Sequence, residues 1–181
     1  MTKLLIVGGV AGGATAAARA RRTDEHAEII LLERGPYISF ANCGLPYYVG
    51  REIGDRSALL LQTPESFKAR FNVDVRVMHE AVGIDRVNKR VSIRNLATGT
   101  EYVESYDKLV LSPGASPIKP PLPGINQQGI YTVRSVPDAV TIRAFVEENR
   151  AGSAVVIGAG FIGIEMVENL HRLGLNVTLV E

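Results

Sequence analysis

The chain has 181 residues, 46% of them hydrophobic, which is enough apolar material to bury the core of one domain or little more. Twenty basic against nineteen acidic residues leave a net charge of +1, so the overall balance carries no nucleic-acid or anionic-membrane footprint and any anion site must be local. One cysteine excludes an internal disulfide and three scattered histidines form no metal-ligand cluster, a pattern that fits a reducing, cytoplasmic setting and no bound metal.

Lys3 before Leu4-Leu5-Ile6-Val7, with Ala16-Ala17-Ala18 beyond, has the outline of a secretory leader, but the apolar run is too short and leads into a basic helix ending at Arg22. No stretch approaches the ~18 apolar residues of a membrane span. The Leu4–Val7 run, ended by Gly8-Gly9, instead predicts a buried parallel strand, followed by an alanine-rich helix over Gly13–Arg22. Ile29–Leu32 predicts a second strand ending at Glu33, completing a βαβ unit of about thirty residues.

Thr63-Pro64-Glu65 reads as an N-cap with proline at the first helical position, opening a helix through Phe71. Val73–Met78 alternates like a strand, and Arg90–Arg94 and Glu101–Val103 flank the turn Ala97-Thr98-Gly99 as a small antiparallel hairpin. Lys108–Leu111 is expected to be a further buried strand, whereas residues 113–124 are too proline-rich for helix or strand. Val136-Pro137-Asp138 opens an amphipathic helix to Asn149, which leads into a second βαβ unit. There the strand is Val155–Ile157, the helix Ile164–Leu173 and the next strand Asn176–Val180, ending at Glu181. Gly8 and Gly13 map onto Gly158 and Gly163, both 150 residues on.

The fold class is therefore α/β: a dinucleotide-binding type of fold with a small antiparallel hairpin insertion, residues 1–148, then the start of a second dinucleotide fold, residues 149–181. A glycine-rich turn between strand and helix lets a pyrophosphate approach the backbone and rest on the helix N-terminus. Gly158-x-Gly160-x-x-Gly163, enclosing Phe161 and Ile162, fits this pattern in full. The first copy, Gly8-Gly9-Val10-Ala11-Gly12-Gly13, has Val10 at the second glycine, and Gly9 and Gly12 are expected to supply the missing room. Glu33 and Glu181 end their strands where a carboxylate can accept the hydroxyls of an adenosine ribose. A carboxylate repels a 2′-phosphate, so Glu181 favours NADH over NADPH.

Cys43 lies in Ser39-Phe40-Ala41-Asn42-Cys43-Gly44-Leu45-Pro46-Tyr47-Tyr48, just ahead of a helix whose first turn holds Leu45 and Pro46. A helix N-terminus favours thiolate, the nucleophilic form. Most lone cysteines are packing residues, and chemistry alone leaves both roles open.

This cysteine segment, the Gly8–Thr15 turn, Tyr106-Asp107-Lys108-Leu109-Val110-Leu111-Ser112-Pro113-Gly114-Ala115-Ser116-Pro117 and the second glycine fingerprint resemble one family. It is the single-cysteine branch of the FAD-dependent pyridine nucleotide-disulfide oxidoreductases, with coenzyme A disulfide reductases, NADH oxidases, NADH peroxidases and persulfide reductases. The resemblance implies FAD along the first fold, contacted by Gly8, Gly9, Val10, Ala11, Gly12, Gly13, Glu33, Arg34, Asn42, Val82, Ser112 and Gly114, with Cys43 as redox centre. It also implies NADH or NADPH on the second fold, with Glu165 near flavin and nicotinamide, or alternatively a carboxylate stabilised by its helix dipole.

Coenzyme A contacts carry over as Thr15, Arg19, Arg22, Ser39 and Asn42. Positions 15, 19 and 22 share one helix face, so two guanidiniums can meet phosphates, although a solvated basic face has the same pattern. A basic contact expected near position 71 is unmatched, because Phe71 stands there with Arg70 and Lys68 nearby. The expected reaction is reduction of a small-molecule disulfide or persulfide. A rival is NADH oxidase or peroxidase chemistry through a Cys43 sulfenic acid, and another is a non-catalytic nucleotide-binding fragment. By the same resemblance the full-length protein is a homodimer whose chain continues through the rest of both folds and a dimerisation domain; nucleic acid and membrane are not expected partners.

Overall fold

The computed structural model describes residues 1–181 and contains two compact units. The first comprises Met1–Phe40 and Leu60–Gly114; the second comprises Ala41–Leu59 and Ala115–Glu181.

In the first unit, β1 (Lys3–Val7), α1 (Ala11–Thr23) and β2 (Glu28–Glu33) form the expected βαβ unit. They join β3 (Asp74–Val77) and β7 (Lys108–Leu111) in an all-parallel sheet of order β3-β2-β1-β7. Successive strand residues point to opposite faces, and both faces of the central pair are covered. Ile6, Ile29 and Leu31 pack under Ala14 and Ala17 of α1 and Phe67 of α3 (Pro64–Phe71). Leu5, Ile30 and Leu32 pack against Val91 and Ile93 of a second sheet. Each such side chain contributes about 1.5–3 kcal/mol when removed from water, which is why these strands read as unbroken apolar runs. α3 starts at a capping box in which Thr63 and Ser66 exchange hydrogen bonds, and stops at Asn72 in the left-handed conformation (φ 47°).

One expectation needs correction here and another is met and extended. β7 is an edge strand rather than a buried one: it pairs only with β1, and Leu111 is 56% exposed. The hairpin of β5 (Arg90–Asn95) and β6 (Glu101–Ser105) is part of a three-stranded antiparallel sheet, because β4 (His79–Asp85) pairs along β5. Gly83 and a β-bulge interrupt the alternation of β4, so its apolar residues do not announce a strand.

The second unit holds the cysteine segment, where α2 (Leu45–Val49) follows a single 3₁₀ turn at Asn42–Gly44. α4 (Val136–Glu148) is capped by Ser135 and Asp138 through another capping box, and residues 113–124 form neither helix nor strand, as expected. β8 (Ser153–Ile157), α5 (Phe161–Arg172) and β9 (Asn176–Val180) make the second βαβ unit, whose sheet has only these two parallel strands. Its core is Leu45, Tyr48 and Val49 of α2, Val136, Ala139 and Ile142 of α4, and Met166 and Leu170 of α5. No helix is long and apolar enough to cross a membrane.

Candidate functional site

The two glycine turns are built alike to the level of single hydrogen bonds. Gly8 and Gly158 lie at φ 96° and 101°, a conformation open to glycine, and their N–H groups donate to Leu32 O (2.8 Å) and Val180 O (2.7 Å). The next residue in each turn donates its N–H to the strand-end carboxylate: Gly9 to Glu33 Oε2 at 2.7 Å and Ala159 to Glu181 Oε2. A Cβ on Gly13 would overlap the Gly8 carbonyl, and one on Gly163 the Gly158 carbonyl, so both third glycines seat the helix on its own turn. Val10 and Gly160 are the N-caps; neither gives a side-chain cap, and neither first turn carries an acidic residue. Both helix N-termini thus offer N–H donors and positive dipole ends to an anion, but the caps differ in backbone, Val10 at ψ −110° and Gly160 at ψ 174°.

Around the first turn the structure gathers several of the expected residues. The Ser112 carbonyl stands where a Gly8 Cβ would be, and a Gly12 Cβ would meet Ser112 Oγ at 3.1 Å, so these glycines are what let the chain after β7 lie against the turn. The second carboxylate oxygen of Glu33 accepts the Gly35 N–H at 2.7 Å. A cleft opens here, lined by Gly8, Glu33, Arg34, His79, Glu80 and Pro113, with Arg34 and Glu80 paired at 3.7 Å across it. Val82 is the extra residue of the β4 bulge, between the pairs Ala81–Ile93 and Gly83–Ser92, so its backbone groups are free of the ladder. Val82 does not itself line the cleft; its neighbour Ala81 does. His79 and Glu80 were not anticipated, for want of a recognisable β4 in the sequence.

Thr15, Arg19 and Arg22 are all exposed on α1, while Ala14 and Ala17 point inward. The Arg22 guanidinium lies 5.9 Å from the Phe71 ring centroid and that of Arg70 lies 5.2 Å from it, so Phe71 carries two cations. Ser39, at φ 42°, donates its N–H to Gly9 O at 3.0 Å.

In the second unit Cys43 is an exposed free thiol within the 3₁₀ turn. Beside it, Asn42 Oδ1 is buried without a hydrogen-bond partner. Gly44 is buried, and a Cβ there would meet Leu59 Cδ2 at 2.8 Å and Ile53 Cδ1 at 3.1 Å. Phe161 and Ile162 are 90% and 56% exposed at the mouth of the second turn, and Glu165 lies one turn into α5, half-buried. No group of three or more His, Cys, Asp or Glu side chains is placed to hold a metal ion.

Comparison with known proteins places this geometry. The family model described as pyridine nucleotide-disulphide oxidoreductase matches residues 2–181. The coenzyme A disulfide reductase of Staphylococcus haemolyticus is 41% identical over 180 residues, 99% of this chain and 40% of the relative. The crystal structure of reduced Bacillus anthracis CoADR-RHD has a TM-score of 0.96 and 54% identity, over 98% of this chain and 32% of that one. The NAD-dependent persulfide reductase from A. fulgidus has a TM-score of 0.93 and 41% identity, over 98% of this chain and 33% of that one. The chain thus spans about 40% of the length of the curated relatives it matches.

Proposed function

Because this chain belongs to the pyridine nucleotide-disulphide oxidoreductases, we propose that in a protein of its relatives' length it serves the FAD-dependent, NAD(P)H-driven reduction of a small-molecule disulfide or persulfide through Cys43. Coenzyme A disulfide and coenzyme A persulfide are the substrates. One observation carries the reading: a lone exposed thiol, beside an orphaned buried acceptor, stands in a chain with two matching dinucleotide turns.

Residues 1–148 supply the first part of the flavin domain. The pyrophosphate of FAD would rest on residues 8–13 and the N-terminus of α1, whose free N–H groups it would meet, in a turn that its glycines let pack tightly on the protein behind it. Glu33 accepts two backbone N–H groups, and its two remaining lone pairs are available to the ribose hydroxyls. Arg34, which lines the cleft, and the backbone of Val82 would meet the adenosine part, with Ser112, which lies against Gly8 and Gly12, and Gly114 as further contacts. Residues 149–181 begin the nicotinamide-dinucleotide domain, with Gly158, Gly160, Phe161, Ile162, Gly163, Glu165 and Glu181 as contacts. The negative charge of Glu181 selects NADH over NADPH.

Bound FAD supplies the two-electron relay between NADH and sulfur. The Cys43 thiolate attacks one sulfur of the substrate, the S–S bond breaks, and one thiol leaves with a proton while the other half stays on Cys43 as a mixed disulfide. Two electrons and a second proton then release the remaining thiol and restore Cys43. Arg19 and Arg22 hold the substrate phosphates, with Thr15, Ser39 and Asn42 as polar contacts. Arg70, held over the Phe71 ring beside Arg22, supplies the cation that position 71 itself lacks.

The test is Cys43→Ser in the full-length protein. It should keep its flavin and the bleaching of that flavin by NADH, and lose disulfide and persulfide reduction. The wild type as isolated should carry a coenzyme A adduct on Cys43 by mass spectrometry. Disulfide turnover surviving in Cys43→Ser would sink the reading, and a sulfenic acid without coenzyme A would redirect it to oxidase or peroxidase chemistry.

A further inference from the structure

The segment that follows Cys43 is held from behind by one arginine that no sequence motif singles out. Arg143 of α4 directs Nη1 at the carbonyls of Tyr48 (3.4 Å), Ile53 (3.3 Å) and Gly54 (3.1 Å), and Nε at Glu147 Oε1 (3.0 Å). Its guanidinium also lies over the Tyr48 ring, 4.7 Å from the centroid, and only 20% of the side chain is exposed. The carbonyl of Tyr48 belongs to the last turn of α2, which a positive charge stabilises, so Arg143 closes the end of the helix that begins beside Cys43.

The grip reaches the thiol through packing. The Ile53 side chain abuts Gly44, the residue after Cys43, with Leu59 on the same side, so the backbone of the 3₁₀ turn rests on the residue whose carbonyl Arg143 holds. α5 adds a second brace. Asn169, fully buried, occupies the space above Gly50 where no Cβ fits, and Arg172 pairs with Glu52.

We propose that Arg143 is a positioning residue that sets the attack geometry of Cys43 by locking residues 48–54 beneath its turn. The inference rests on Cys43 being the redox centre. Thiol exchange requires the attacking sulfur in line with the S–S bond, and a misplacement of about 1 Å can cost on the order of 100-fold in rate. A methionine in place of Arg143 keeps the stem but loses every donor, whereas lysine keeps a charge that can reach one or two of the carbonyls.

The experiment uses the full-length, FAD-loaded protein as wild type, Arg143→Met and Arg143→Lys. Two rates are followed in each: anaerobic flavin reduction by NADH, and alkylation of reduced Cys43 by iodoacetamide, with the thermal midpoint of each variant as reference. Arg143→Met should alkylate about tenfold more slowly or more quickly than wild type, because the turn is no longer held in one geometry, with flavin reduction within about twofold. Turnover of coenzyme A disulfide should fall about tenfold in kcat with KM little changed, and Arg143→Lys should recover part of it.

An unchanged alkylation rate and kcat would overturn the proposal. So would a parallel fall of flavin reduction, kcat and thermal midpoint, which would make the arginine structural only. Should Arg143→Met fail to fold, Arg143→Lys is judged by the same rates. Because alkylation reads Cys43 directly, a failure of the disulfide reductase reading shows in Cys43→Ser turnover and leaves this result distinguishable.

Discussion

The two βαβ units of this chain share one set of local rules and differ in what surrounds them. Both have a left-handed glycine after the first strand, a strand-end glutamate bound to the second turn residue and a third glycine seated on the first one's carbonyl. Yet Leu5, Ile6 and Ile29–Leu32 are buried on both faces, whereas Val155 and Ile157 are 65% and 83% exposed. The first strand pair lies between β3 and β7 and is covered by a second sheet; the second pair stands as two strands. A glycine-rich turn is thus written by a few adjacent residues, while the burial of the strands beside it depends on distant ones.

The largest expected effect separates the turns by substitution. Gly8→Ala combines a strained positive φ with overlap on the Ser112 carbonyl and should cost about 4 kcal/mol in urea denaturation of this chain. Gly158 has the same backbone but nothing within 4 Å, so Gly158→Ala should cost only about 1–2 kcal/mol. Equal costs would break the comparison, because strain alone would then account for both.

Helix ends provide the next contrast. Arg21 ties the end of α1 to the carbonyls of Asp24, Glu25, Ala27, Phe71 and Asn72, at distances from 2.6 to 3.3 Å. Replacing it with methionine strands these acceptors and should cost about 2–3 kcal/mol. Arg172 near the end of α5 makes exposed pairs with Glu168 and Glu52, so Arg172→Met should cost about 0.5 kcal/mol. A larger loss at Arg172 than at Arg21 in the same denaturation series would reverse the ranking of the two units.

The smallest effect is one of pH. Burial pushes the Glu104 carboxyl up, but hydrogen bonds from Lys3 (2.6 Å) and Arg76 (2.7 Å) outweigh it and hold the group below its usual range. The hydrogen bond to Glu104 in turn holds Lys3 above its ordinary value. Burial lowers Arg76, but Glu104, Tyr102 and Asp74 raise it further than burial lowers it. Stability from Glu104 is therefore present above the unfolded carboxylate value of about 4.3 and is lost as pH falls through the lower folded value. Glu104→Gln should remove about 1–2 kcal/mol at pH 7 and flatten the loss of stability as pH falls below the unfolded carboxylate value. An unchanged acid limb in Glu104→Gln would show that this cluster does not join β1 and β3 to β6 energetically.

Local chemistry was legible because it is written in neighbouring residues. Ser135-Val136-Pro137-Asp138 and Thr63-Pro64-Glu65-Ser66 carry their own caps, and the 150-residue spacing of the glycines announces the repeat. The exposed face of Thr15, Arg19 and Arg22 follows from helical period alone. What stayed hidden lacked such a period. β4 has a bulge at Val82 and a glycine at 83, so its alternation fails and the cleft residues His79 and Glu80 went unseen. β7 has the apolar run of a buried strand, yet within these 181 residues it pairs with β1 alone.

By itself, then, the sequence determined the two strand-turn-helix units, their glutamates, the caps and the place of Cys43 ahead of a short helix, all of which arise from contacts within a few residues. Tertiary structure alone decided that the Ser112 carbonyl stands against Gly8, that Arg22 lies over the Phe71 ring, and that Arg143 holds the carbonyls of residues 48, 53 and 54. Partners of these kinds come from segments about 50 to 100 residues away, and an arginine or a carbonyl bears no mark in the sequence of which distant group will meet it.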